Sequence, residues 1–76
     1  PKDSKTTLQE WAQGKGLSLP IYEVVSKTGP AHEPRFIIAV SLEDMQPVKA
    51  SGLSKQKAEQ SAAQLLLKKL QNESEF

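Results

Sequence analysis

Leu8, Trp11 and Ala12 recur at spacings of three and four, and with the stem of Lys15 they fall on one side of a helix turning about 100° per residue. Thr6, Gln9, Glu10 and Gln13 fall on the other side, so the pattern predicts an amphipathic helix with an uncharged-polar and acidic outer stripe. Asp3 suits its N-cap, because a short carboxylate accepts from an unpaired first-turn amide, and Gly14 and Gly16 end it. After Leu19 and Pro20 the period changes to two. Tyr22 and Val24 share one face of a first strand, and Phe36, Ile38 and Val40 share a face of a second. The segment Thr28 to Pro34 between them holds Gly29, Pro30 and Pro34, which do not fit a paired ladder and predict a long hairpin loop. A shorter turn at Glu43-Asp44-Met45 leads to a third strand over Pro47 to Ser51. Ser54 then stands as N-cap of a helix from Lys55 to about Gln71, with Ala58, Ala62, Leu65, Leu66 and the stem of Lys69 as its buried stripe. The order predicts an α+β fold, α-β-β-β-α, with two helices on one face of a three-stranded antiparallel sheet. The expected domain covers residues 1–72, and the polar residues 73–76 form a frayed tail.

Composition narrows this picture without changing it. Seventy-six residues allow one compact core. The absence of cysteine excludes disulfides and thiolate metal sites, and a single histidine builds no zinc site, so stability must come from packing. The apolar runs Phe36 to Val40 and Ala62 to Leu67 are too short to span a membrane, and the N-terminus lacks a signal-peptide pattern, so a cytoplasmic setting is expected. Net charge is only +1, which by itself argues for no partner. The placement of the charges therefore decides.

Lys55-Gln56-Lys57 occupies the first turn of the second helix, where the macrodipole is already positive and cations are disfavoured. Two lysines there are either solvated surface residues or the grip of a phosphate, toward which ammonium groups and amides after Ser54 would point together. The outer stripe Thr6, Gln9, Glu10 and Gln13 is either a plain solvated face or a reader of hydroxyl groups, having donors and acceptors but no cation. His32 sits in the hairpin loop with no cysteine or carboxylate pair to make it catalytic. A contact to ribose or a base edge and a loop-stabilising hydrogen bond are both open to it. Trp11, Tyr22 and Phe36 would suit a single-strand stacking platform, but their periodicity assigns them to the core. Glu23, Glu43, Asp44 and Glu59 are spread over different elements, so no clustered carboxylates and no catalytic residues are found.

Taken in order, Asp3-Ser4-Lys5-Thr6-Thr7-Leu8-Gln9-Glu10, Pro20-Ile21-Tyr22, Gly29-Pro30-Ala31-His32, Phe36, Val40, Gly52 and Ser54-Lys55-Gln56-Lys57-Ala58-Glu59-Gln60-Ser61-Ala62-Ala63 strongly resemble the double-stranded-RNA-binding domain. Thr6, Leu8-Gln9-Glu10 and Ala58-Glu59-Gln60 look most like the C-terminal domain of bacterial ribonuclease III. The resemblance implies a module that contacts two successive minor grooves and the phosphates between them, over roughly 16 base pairs. It assigns Thr6, Gln9 and Glu10 to one minor groove, Pro30 and His32 to the next, and Lys55 and Lys57 with the amides after Ser54 to the phosphates, with Gln13 and Gln56 as further candidate RNA contacts on the same surfaces. Two positions depart from the family's Lys-Lys-x-Ala-Lys pattern: Gln56 replaces the second lysine and Glu59 the third.

The resemblance also implies that this chain needs no cofactor, that Mg²⁺ serves a nuclease domain elsewhere in the parent, and that the fragment is a monomer. A homodimer of the parent through another domain remains open. The competing reading is a copy of the fold that binds another protein or itself; the retained Thr6, Gln9, Glu10, His32 and Lys55 argue against it. A stand-alone enzyme would need a nucleophile or metal cluster that the sequence lacks.

Overall fold

The computed structural model of the chain describes residues 3–73. Its elements are α1 (Ser4–Gly14), β1 (Ile21–Thr28), β2 (Arg35–Ser41), β3 (Val48–Gly52) and α2 (Lys55–Glu73), the predicted order. Asp3 caps α1, its carboxylate accepting from the amides of Lys5 and Thr6 at 2.9 and 3.2 Å. At the other end Gly16 takes φ +72°, and the amides of Gly16 and Leu17 donate back to Gln13 and Ala12 at 3.0 and 2.9 Å. That paired closure needs a left-handed residue, which glycine supplies without strain. Leu17 then folds onto the core.

The strands form one antiparallel sheet in the order β1-β2-β3. Its register stacks Tyr22, Val40 and Val48 in one row and Val24, Ile38 and Ala50 in the next, with Lys27, Phe36 and Gly52 in a third. Directly paired residues share a face, so these rows form the side on which the helices lie. The ladder slips between Val24 and Ser26, a bulge at Val25 that the regular alternation of the sequence did not predict. Beyond β2, the carboxylate of Glu43 accepts from the amide and hydroxyl of Ser18 at 2.9 and 3.0 Å, tying the α1–β1 connection to the β2–β3 turn. Those two donors hold the Glu43 carboxyl below its usual range.

Leu8 and Ala12 of α1, Val40 and Leu42, and Ala62, Ala63, Leu66 and Leu70 of α2 form the core. Alanines at 58, 62 and 63 keep α2 close to its neighbours. The buried arc of α2 is wider and turned relative to expectation, because α2 packs on both the sheet and α1. Ala63 and Leu70 lie inside it, whereas Leu65 is 46% exposed and Lys69 is also exposed, so both leave the predicted stripe. Lys15 is likewise exposed, its ammonium 5.7 Å from the Trp11 ring centre. Trp11 and Tyr22 pack partly buried against the core, and Phe36 is half-buried under the Lys27 ammonium, 5.4 Å from its ring centre. α2 continues to Glu73, past the predicted end near Gln71; the remaining tail residues, 74–76, lie outside the described ones. No helix among the described residues is long and apolar enough to cross a membrane.

Candidate nucleic-acid interface

The outer stripe of α1 is where the helical period placed it: Thr6, Gln9, Glu10 and Gln13 are all exposed. Thr6 and Gln9 line one wall of a groove of about 760 Å³, and Gln56 and Lys57 line the other. The structure thus brings two residues of the uncharged-polar stripe and part of the cationic turn to one concavity, although they lie on the first and last helices of the chain.

Ser54 caps α2 as predicted, its hydroxyl oxygen accepting from the Lys57 amide at 3.1 Å while its carbonyl takes the Ala58 amide at 2.9 Å. Lys55, Gln56 and Lys57 are exposed around that turn, which carries no acidic residue. The cap uses the Lys57 amide, so the first-turn amides of Lys55 and Gln56 and the two ammonium groups are what this turn presents to solvent.

Pro30 and His32 are exposed on the β1–β2 loop. That loop is closed by the Glu33 amide donating to the Pro30 carbonyl at 3.0 Å, and it starts from Gly29 at φ +86°. The pairings Thr28 with Arg35 and Phe36 with Gly52 put the loop at the same end of the sheet as the start of α2. Pro30 and His32 therefore share an end of the molecule with Lys55, but they do not line the α1–α2 groove.

Sequence reasoning missed the polar ties beneath that groove. The Gln60 side chain donates to the Asp3 carboxylate at 2.6 Å and accepts from the amides of Ser4 and Lys5 at 2.9 and 3.3 Å. The Lys5 ammonium contacts Glu59 at 2.7 Å and lies 5.0 Å from the Tyr22 ring centre. Donation by Gln60, then by Thr6 and Lys5, holds the Asp3 carboxyl below its ordinary value. Asp3 reads locally as a cap; nothing in local periodicity joins it to a residue 57 positions away.

The Tyr22 hydroxyl is buried without a hydrogen-bond partner among the described residues. Burial first, then the charges of Glu59 and Asp3, push its pKa up from 10.0 to about 12. Tyr22→Phe should therefore stabilise the domain by about 1 kcal/mol at neutral pH, since an unmatched buried polar group is removed. The folded hydroxyl keeps its proton where the unfolded chain has lost it. Relative to phenylalanine, the cost of the hydroxyl is constant below pH 10 and grows as the pH rises from 10 to about 12. Urea midpoints at pH 8, 10 and 11.5 should fall more steeply for the parent chain than for Tyr22→Phe; parallel curves would contradict the assignment.

Among the described residues no group of three or more His, Cys, Asp or Glu is placed to hold a metal ion.

A helix, three antiparallel strands and a helix, with a polar α1 face and a basic α2 start, define an α+β module of the α-β-β-β-α class. The chain belongs to the double-stranded RNA binding motif family, whose model matches residues 4–70. It is 51% identical over 70 residues to Ribonuclease 3 of Anaplasma marginale, covering 92% of this chain and 30% of that protein. Ribonuclease 3 of Wolbachia pipientis wMel is 54% identical over 70 residues with the same coverage. The chain thus spans about 30% of the length of these curated relatives, and the predicted likeness to bacterial ribonuclease III holds. Among solved structures, Arabidopsis HYL1 superposes with a TM-score of 0.78 at 38% identity, covering 91% of this chain and 97% of that one. The second dsRBD of DRB4 does so at 0.67 and 32%, covering 90% and 94%.

Proposed function

We propose that this chain binds duplex RNA by shape, hydroxyl and phosphate contacts, and that in a ribonuclease III parent it positions the duplex for a nuclease domain lying outside this chain. The supporting observation is the groove in which Thr6 and Gln9 face Gln56 and Lys57. The minor groove of A-form RNA displays 2′-hydroxyls that both donate and accept, matching the neutral and acidic stripe of Thr6, Gln9, Glu10 and Gln13. Pro30 and His32 enter a second minor groove. Lys55 and Lys57, with Gln56 and the capping Ser54 beside them, span the phosphates. The isolated module acts as a monomer on duplexes of roughly 16 base pairs or more, with DNA duplexes bound far more weakly. Mg²⁺ would serve the nuclease domain of the parent.

Each phosphate contact releases condensed counterions, which a merely solvated lysine does not do. Alanine at both Lys55 and Lys57 should therefore make the slope of log affinity against log salt shallower by about 1.5. Lys68→Ala with Lys69→Ala, on the later turns of α2, removes the same formal charge and should leave the slope nearly unchanged. Titrations of an RNA duplex between 50 and 200 mM salt provide the measurement. Equal shifts in the two double variants would assign the effect to net charge, and equal affinity for a DNA duplex of the same sequence would remove the RNA reading altogether.

A further inference from the structure

α1 touches the rest of the fold through two kinds of contact. Leu8, Trp11 and Ala12 supply apolar packing, which is non-directional and leaves the helix free to roll or slide by small amounts. The second contact is polar and directional. The Ser4 and Lys5 amides belong to the first turn of α1, where donors have no partner inside the helix, and both donate to Gln60 of α2. Gln60 returns a donor to the cap residue Asp3 at 2.6 Å. One turn-forming neighbour away, Glu59 holds the Lys5 ammonium at 2.7 Å, with Glu59 only 13% exposed. Hydrogen bonds fix angles that apolar contacts do not.

We propose that Gln60, supported by Glu59, is a positioning residue that locks the N-terminus of α1 to the first turns of α2 and so fixes the spacing between the hydroxyl-reading face and the lysine clamp. This rests on the duplex-RNA reading above and deepens it. Gln60 and Asp3 line the same groove as Thr6, Gln9, Gln56 and Lys57, so a shift at the tie is transmitted directly to the opposed walls. The proposal also gives Glu59 a purpose. At a position where the wider family pattern has lysine, this chain gives up a cation toward phosphate and uses the carboxylate to hold α1 through Lys5.

The test is a comparison of RNA and DNA duplexes of identical sequence, bound by the parent chain, Gln60→Ala and Asp3→Ser. The serine keeps an N-cap acceptor for α1 while withdrawing the oxygen to which Gln60 donates, so it carries the test if Gln60→Ala does not fold. Each folded variant should lose about tenfold in RNA affinity, the scale of one or two hydrogen bonds misplaced at the interface. For Gln60→Ala, which removes no charge, DNA affinity and salt slope should stay within experimental error because the lysine clamp is intact; Asp3→Ser, which removes a negative charge, should bind DNA no more weakly than the parent. The double variant should be no weaker than either single one, since both cut the same tie. A proportional loss for RNA and DNA, as reduced folding alone would cause, overturns the positioning role, and so does an unchanged RNA affinity. A parent chain without RNA preference overturns the binding reading itself, a failure visible before any variant is made.

Discussion

Gly52→Ala should destabilise the domain by about 3 kcal/mol, the upper end of what overpacking a well-filled site costs. A β-carbon at Gly52 would lie 2.5 Å from the Ala58 amide nitrogen and 2.9 Å from both the Ala58 Cα and the Lys57 carbonyl carbon. All three are backbone atoms of α2, so no side-chain rotation relieves the contact, and either the helix lifts or β3 yields. Glycine is required here for space rather than conformation. Phe36 pairs with Gly52 across the ladder, so α2 begins directly over the end of that row. A chain of this size has a total stability of about 4 to 11 kcal/mol, so the substitution removes a large part of it. Urea unfolding followed by circular dichroism gives the loss. The folded remainder should also bind duplex RNA more weakly, because lifting the first turns of α2 moves Lys55 and Lys57 away from the loop at the same end of the sheet. A loss below 1 kcal/mol would mean that α2 can shift over β3 without penalty, and the idea of a rigidly set clamp would fail with it.

The features legible in the sequence are those set by neighbours in the chain. Asp3 and Ser54 act as caps because their acceptors need only reach amides two or three residues ahead. Gly16 ends α1 and the Gly-Pro segment makes the hairpin loop for equally local reasons. Features set by tertiary contact were less legible. The turn of α2 that exposes Leu65 and buries Ala63 depends on where α1 lies, which a helical period cannot encode. The bulge at Val25 interrupts an alternation that the residue types alone would have continued. The need for Gly52 is invisible until a helix is seen passing 2.5 Å from its missing β-carbon.

The candidate interface divides in the same way. Exposure of Thr6, Gln9, Glu10 and Gln13 follows from amphipathic spacing, and Lys55 and Lys57 are recognisable because cations are unusual at a helix start. The sequence does not show that Thr6, Gln9, Gln56 and Lys57 line one groove, nor that Lys5 is held by Glu59. That pair changes the electrostatic picture. Lys5 lines the groove, yet its ammonium is paired with Glu59, so a phosphate contact on this face would rest on Lys55 and Lys57 and not on the overall balance.

Gly29→Ala should cost about 2 kcal/mol in stability and nearly abolish the contribution of the β1–β2 loop to binding. At φ +86° an alanine is strained by about 1 to 2 kcal/mol. Its β-carbon would also stand 2.7 Å from the Glu33 carbonyl oxygen, a backbone atom on the far side of the loop. Relief requires the turn between Pro30 and Glu33 to open, breaking the 3.0 Å bond that closes it. The stability loss is limited because the loop residues are largely exposed and can move without opening the core. The binding loss is not limited in that way, since Pro30 and His32 are carried by this turn. His32→Ala removes one side chain and should cost about 1 kcal/mol of affinity with the fold unchanged; Gly29→Ala displaces the whole tip and should cost more. Duplex length separates this from a general weakening. A duplex of roughly 16 base pairs presents both minor grooves, whereas one of about 8 presents only the first. The parent chain should prefer the longer duplex strongly, and Gly29→Ala should lose most of that preference while binding the short duplex nearly as well. If both duplexes weaken by the same factor, the loop does not reach a second groove and the two-groove geometry is wrong.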